Sequence, residues 1–149
     1  MEIVRHFTAS VYIINNSKVL LHKHKKYDLI LPLGGHIDRD ELPSEAVIRE
    51  TMEESGLEIK LYNSNKYKED YFKNSIELNR GEHLNLHKLG PQHEHIDFVF
   101  YANSSSKKLN PKKGESKEFY WYSKEDILTS KIISEEVKIY SLEALEKLK

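Results

Sequence analysis

The chain has no cysteine, no long apolar run and no excess of charge of either sign. Absent thiols exclude disulfides and thiol catalysis, and a chain without about 18 consecutive apolar residues has no candidate spanning helix. With 23 basic and 24 acidic residues the net charge is -1. That balance gives no electrostatic footprint for duplex nucleic acid or an anionic membrane, so a small-molecule partner fits better. The amino terminus lacks a signal-peptide pattern, and the expected location is the reducing cytoplasm. Repeats and low-complexity tracts are also missing. At 149 residues the chain reads as a single domain, 1–149, able to bury roughly two thirds of its unfolded surface without staples.

What the chain does have is a concentration of carboxylates beside glycines, between Gly35 and Leu57. Pro43 suits the first turn of a helix and Gly56 the residue past its end, which predicts a helix over 43–55. On it Glu50 lies over both Glu53 and Glu54, and like charges at that spacing cost about 0.2–0.5 kcal/mol per pair. Two of the three stand in the last turn, where the helix dipole disfavours negative charge by about 0.3–1 kcal/mol. A hard divalent cation reverses both penalties, because it prefers oxygen ligands and is commonly shared between carboxylates and substrate phosphates. Charged helical segments are usually solvated surface. Here the adjacent Gly34-Gly35 after the apolar Leu29-Ile30-Leu31, and Arg49 four residues from Glu53, argue for a built site.

The segment resembles the Nudix box, GX5EX7REUXEEXGU with U apolar: Gly35, Glu41, Arg49, Glu50, Glu53, Glu54, Gly56 and Leu57 match. Seven fixed positions coincide by chance on the order of 10^-9 per window at average residue usage, which dismisses accident. Thr51 departs from the pattern; its methyl is expected to pack and its hydroxyl to bond the preceding turn. Leu33 precedes the glycines where many relatives carry proline, which here stands one place earlier as Pro32.

The resemblance implies an α/β fold, the Nudix α/β/α sandwich with a mixed sheet, and hydrolysis of a nucleoside diphosphate linked to another group X. It implies Mg2+ or Mn2+ held by the Gly34 carbonyl and by Glu50, Glu53 and Glu54, with Arg49 orienting them and Glu41 holding loop to helix. For the base that takes the proton from water, Glu115, six residues before Trp121, comes first. Glu94, Glu118 and Glu53 compete with it, and a solvated loop carboxylate is the plain alternative for Glu115. A different function on the same fold is a sensor that binds a nucleotide or metabolite without hydrolysing it. The intact glutamates and arginine favour the enzyme. RNA processing at a 5′ end is a third class, disfavoured by the lack of a basic groove. Nucleoside triphosphates, nucleotide sugars, dinucleotide cofactors, dinucleoside polyphosphates and non-nucleotide pyrophosphates all stay open, as does a monomeric or homodimeric state.

Elsewhere, alternation predicts strands at 3–14, 18–25, 29–33, 58–65 and 93–103, the last with Ile96, Phe98 and Phe100 on one face and His95, Asp97, Val99 and Tyr101 on the other. A strand at 119–122 and helices at 124–128 and 135–148 follow. On the 43–55 helix, Val47, Ile48, Thr51 and Met52 read as the face that buries, with Ala46 beside the carboxylates. The polar stretch 67–92 is too long for an ordinary connection and reads as functional or partly helical. His83, His87, His93 and His95 crowd there, a competing metal reading if His83 and His87 share a helical face, although surface histidines are the simpler account. His22 and His24 read as partly exposed, and His36 as a phosphate contact or loop cap. Tyr62, Tyr67, Tyr71, Phe72, Tyr101, Tyr120 and Tyr122 could stack on a base, against core packing as the commoner role. Lys23, Lys25, Lys26 and Arg39 could pair with phosphates or simply face solvent.

Overall fold

Alternation of apolar side chains along residues 8–14 builds the strand on which the other elements are arranged. The computed structural model describes residues 2–67, 72–115 and 118–149. In chain order its elements are β1 (Val4–Asn15), β2 (Lys18–Lys23), β3 (Ile30–Leu31), β4 (Leu33–His36), α1 (Pro43–Ser55), β5 (Ile59–Leu61), β6 (His83–Gly90), β7 (His93–Ser104), β8 (Phe119–Ser123), α2 (Lys124–Thr129) and α3 (Glu135–Lys147). The eight strands form one sheet with the path β3-β2-β1-β7-β5; β4 also pairs with β1, β6 with β7 and β8 with β2. The sheet is mixed. β1 runs parallel to β7 from Val4 opposite His93 to Ile14 opposite Asn103, and the other pairings are antiparallel.

The two faces of β1 carry two cores. Ala9, Val11 and Ile13 pack with Leu20, Phe100, Ala102 and Val47 of α1. Tyr12 and Ile14 pack with Val99, Tyr101, Ile127 of α2, and Val137 and Ala144 of α3. Helices on both sides of a mixed sheet make the α/β/α sandwich, because a sheet apolar on both faces needs cover on both.

Local chemistry sets the ends of α1. Glu45 accepts a hydrogen bond from the Leu42 N–H at 2.8 Å, and Pro43 supplies the fixed φ of the first turn. Gly56 ends the helix at φ 75° with its N–H on the Met52 carbonyl at 2.9 Å. The chain then comes back to the same end: Asn110 N–H donates to Ser55 O at 2.7 Å and Lys112 N–H to Glu53 O at 2.9 Å. The 105–115 loop is thereby fastened to the last turn of α1, satisfying carbonyls that the helix leaves open.

Several expectations need correction. Ile48 and Met52 are exposed; Ala46, Val47, Thr51, Glu54 and Ser55 are what α1 buries. The buried stripe is rotated toward the carboxylates, with Ala46 and Glu54 both inside it. Thr51 does behave as expected, its hydroxyl donating to the Val47 carbonyl at 2.7 Å. Gly34 and Gly35 are not in a loop: they lie in β4, opposite Ser10 and Ala9. Pro32 separates β3 from β4, since it has no N–H to give a continuous ladder. The strands read at 18–25 and 58–65 stop at Lys23 and Leu61. Among its described residues the 67–92 stretch holds no helix; its regular element is β6.

Candidate active site

The register of β4 on β1 brings the glycines under α1. Glu54 Oε1 accepts the Gly34 N–H at 2.8 Å. A Cβ on Gly35 would lie 2.6 Å from the Glu50 carboxyl carbon, so that carboxylate rests directly on the strand only because no side chain intervenes. Arg49 fixes the other side. Its Nε donates to Glu41 at 2.6 Å and its Nη2 to the same carboxylate at 2.9 Å, a two-pronged pair. Nη1 reaches Glu50 at 3.0 Å and Glu53 at 3.4 Å, and Nη2 also donates to the His36 carbonyl at 3.1 Å. One guanidinium thus spans the loop glutamate, two helix glutamates and the end of β4. The Glu41 pairing raises the Arg49 pKa, and Arg49 in turn lowers that of Glu41.

Glu54 is the most deeply placed of the three helix carboxylates. Burial pushes its pKa up to about 8, and the negative charges of Glu50, Glu115 and Glu53 push the same way against the Gly34 N–H. Burial also raises Glu50, opposed by Arg49 and reinforced by Glu53 and Glu115. Glu115 therefore belongs to the same electrostatic group. It lines with Glu54, His22, His24, Lys25 and Lys26 a cavity of 440 Å³. Lys25 Nζ donates to the Gly114 carbonyl, tying the end of β2 to the loop that carries Glu115.

The competing bases lie elsewhere or are otherwise engaged. Glu94 is buried on β7 and accepts from Arg5 Nε at 2.8 Å, while Glu118 lies 4.0 Å from Lys23 Nζ. Of the cationic candidates, Lys25 and Lys26 border the cavity, Lys23 pairs with Asp28 at 2.9 Å, and Arg39 is exposed. Tyr62, Tyr101 and Tyr122 pack against the α3-side core. Tyr120 is exposed. The rings of Tyr67 and Phe72 lie 5.7 Å apart, and Tyr71 falls outside the described residues.

His22 is the residue that sequence reasoning misplaced. It is buried, not partly exposed, with Nε2 3.9 Å from Glu54 Oε2. Burial and the neighbouring His24 bring its pKa down to about 4; both ring nitrogens lack a hydrogen-bond partner, and the Pro32 backbone favours protonation only weakly. The alternation of His22 with His24 on one strand face is what reads as partly exposed in the sequence. Only the β2–β8 pairing, which sets Phe119 opposite it, reveals that the face is covered.

The histidine group also differs from expectation. His83 and His87 face α3 from a strand, at 2.6 Å from Glu143 and 2.8 Å from Glu136. His93 and His95 lie instead with His6 and His36 at the far end of the sheet.

The sequence profile of the NUDIX domain matches residues 4–142. The chain belongs to the Nudix hydrolase family. A solved Nudix-family hydrolase from Clostridium perfringens is 46% identical with a TM-score of 0.89, covering 98% of this chain and 99% of that one. A MutT protein from Methanosarcina mazei Go1 shares 19% identity and a TM-score of 0.73 over 100% of this chain and 99% of its own. An ADP-ribose pyrophosphatase from Streptococcus suis 89-1591 shares 16% and 0.60 over 95% and 90%. The last two similarities establish the Nudix fold alone. No curated protein matches the chain. Among the described residues no helix of this Nudix hydrolase is long and apolar enough to cross a membrane.

Proposed function

We propose that this chain hydrolyses a pyrophosphate bond in a nucleoside diphosphate linked to another group X, with the reaction centred on α1. The observation that carries the reading is Glu54: a buried carboxylate with one N–H partner, crowded by three further carboxylates. Such a group is costly without positive charge beside it. The donors that the Nudix resemblance assigns, Glu50, Glu53, Glu54 and the Gly34 carbonyl, are all oxygen, which fits Mg2+ or Mn2+. When bound, a divalent ion supplies charge neutralisation at the phosphate oxygens and a more acidic water.

The chain's own residues complete the chemistry. Glu115, which lines the same cavity as Glu54, accepts the proton of the attacking water; Lys25 and Lys26 balance the phosphate charge. Arg49 holds Glu50 and Glu53 at fixed angles through its bidentate grip on Glu41, so the acceptors need not reorganise when substrate enters. Residues 1–149 act in this reading as one Nudix domain, in the cytoplasm, on small nucleotide-type substrates, as a monomer or homodimer.

Release of inorganic phosphate after phosphatase coupling, measured on nucleoside triphosphates, nucleotide sugars and dinucleotides, tests the proposal. Turnover of at least one class with Mg2+, abolished by EDTA, is expected. Turnover that survives EDTA would overturn the metal-dependent reading, and saturable binding without turnover would make the chain a sensor.

A further inference from the structure

Four histidines far apart in sequence meet on one patch of the sheet. In the parallel β1–β7 register His6 stands opposite His95, and in the antiparallel β1–β4 register His36 stands opposite Thr8, two residues along β1 on the same face. This face of β1 is the one that packs on α3 further along; the α1 carboxylates belong to the other side. The ring centroids of His6 and His36 lie 5.2 Å apart, those of His36 and His95 5.0 Å, and those of His6 and His95 6.0 Å.

We propose that His6, His36 and His95 bind a transition-metal ion of the zinc, nickel and copper class, at a site separate from the carboxylates of α1. Each of the three offers a ring nitrogen, and these nitrogens all lie within 4.8 Å of one another. Zinc–nitrogen bonds of about 2.0–2.1 Å set donor atoms roughly 3.3 Å apart in a tetrahedron, so closing the site takes shifts of about 1 Å or less per ring. His6 and His36 are exposed.

Three further observations favour a metal. His95 Nε2 is buried with no hydrogen-bond partner, an acceptor or donor held out of water for which the protein supplies nothing. His93 Nε2 sits 3.0 Å from His6 Nδ1, which leaves the other nitrogen of His6 for a ligand and fixes the ring as ligating histidines are ordinarily fixed. No carboxylate belongs to the triad. An all-imidazole set selects borderline ions and gives Mg2+, Ca2+ and Mn2+ little reason to bind.

Access is open. A depression of 490 Å³ lined by Val4, His6, Gly90, Pro91, Gln92 and His93 adjoins the group. Three imidazoles also leave one position of a tetrahedral ion for water or an exogenous ligand.

Calorimetric titration of the full chain with Zn2+, in millimolar Mg2+ to occupy the carboxylates, is the direct test, paired with the electron paramagnetic resonance spectrum of the Cu2+-loaded protein. One equivalent of Zn2+ is expected, with nitrogen splittings in the Cu2+ spectrum, both preserved in the Glu53→Gln/Glu54→Gln variant. His93→Gln should weaken Zn2+ by about tenfold or more, and His36→Gln and His95→Gln by more than that. The exposed His6→Gln serves where the change at half-buried His95 harms folding, as checked by circular dichroism. Unaltered affinity in His6→Gln and His36→Gln, or loss of the Zn2+ site in the glutamate variant alone, overturns the assignment.

Discussion

Glu54 combines burial, a single backbone donor and three like-charged neighbours. Glu54→Gln keeps the shape and the Gly34 contact through the side-chain carbonyl while removing a negative charge. The expected outcome is loss of metal-dependent turnover with unchanged circular dichroism and, without metal, a thermal midpoint at or above that of the unmodified chain, since the variant removes a carboxylate that burial and its neighbours disfavour; full activity would dissociate this residue from the chemistry. Glu115 is a different case, reaching the site from a loop. Glu115→Gln should lower kcat by about 10²- to 10⁴-fold, the range of general-base catalysis, with a much smaller change in substrate affinity measured separately by calorimetry. A proportional fall in both would assign Glu115 to substrate binding. At this scale the box residues were legible, because each is named by its offset along one helix. His22 was not, since its burial depends on β8, about a hundred residues further along the chain.

Elements meet at α1's carboxyl end and at the β6–α3 contact. Gly56 holds φ 75°, and a Cβ there would come 2.6 Å from the Asn110 carbonyl that follows the loop back to the helix. Gly56→Ala should therefore destabilise by more than the about 1 kcal/mol of the conformational penalty alone, read from urea unfolding. Turnover should fall as well, because the displaced loop carries Glu115. At the second contact, His87 on β6 bonds Glu136 on α3; the pairing raises the His87 pKa and lowers that of Glu136. A raised histidine pKa stabilises fully below about pH 6.5 and its contribution is lost as pH rises through the folded value. A lowered carboxylate pKa contributes above about pH 4.5 and is lost as pH falls through the folded value. The pair is therefore strongest between about pH 4.5 and 6.5. Relative to His87→Gln, the unmodified chain should lose thermal midpoint on going from about pH 6 to about pH 8. Asp97 also faces His87 and raises its pKa, so its attraction to the imidazolium is likewise absent from the variant and adds to the difference in the same direction. Elements such as α1 and β7 were readable because caps and alternation are local. β6 was harder to place: Leu84 and Leu86 alternate with His83, Asn85 and His87, yet both leucines are exposed and the polar positions are the ones facing α3, the reverse of the usual pattern.

For the whole molecule, stability rests on two cores separated by β1 and β7. Phe100 is wholly buried in the α1-side core. Phe100→Ala should cost about 3–5 kcal/mol in urea unfolding, and a much smaller loss would show that the α1 layer collapses onto the space. Fold class was legible at this scale from the box and the order of strands and helices. The histidine triad was not, since residues 6, 36 and 95 share nothing in sequence and meet only through strand register.

The parallel pairing of β1 with β7 joins residues 89 positions apart, as in Arg5 with Glu94 and Thr8 with Asp97. At about 5–20 residues per second on the ribosome, the first strand waits roughly 4–18 s for the partner that completes it. During that interval its apolar stretch Val11-Tyr12-Ile13-Ile14 has an unfilled edge. Until then the nascent chain carries an unpaired apolar strand edge open to wrong partners, and slow codons between β2 and β7 would prolong the exposure.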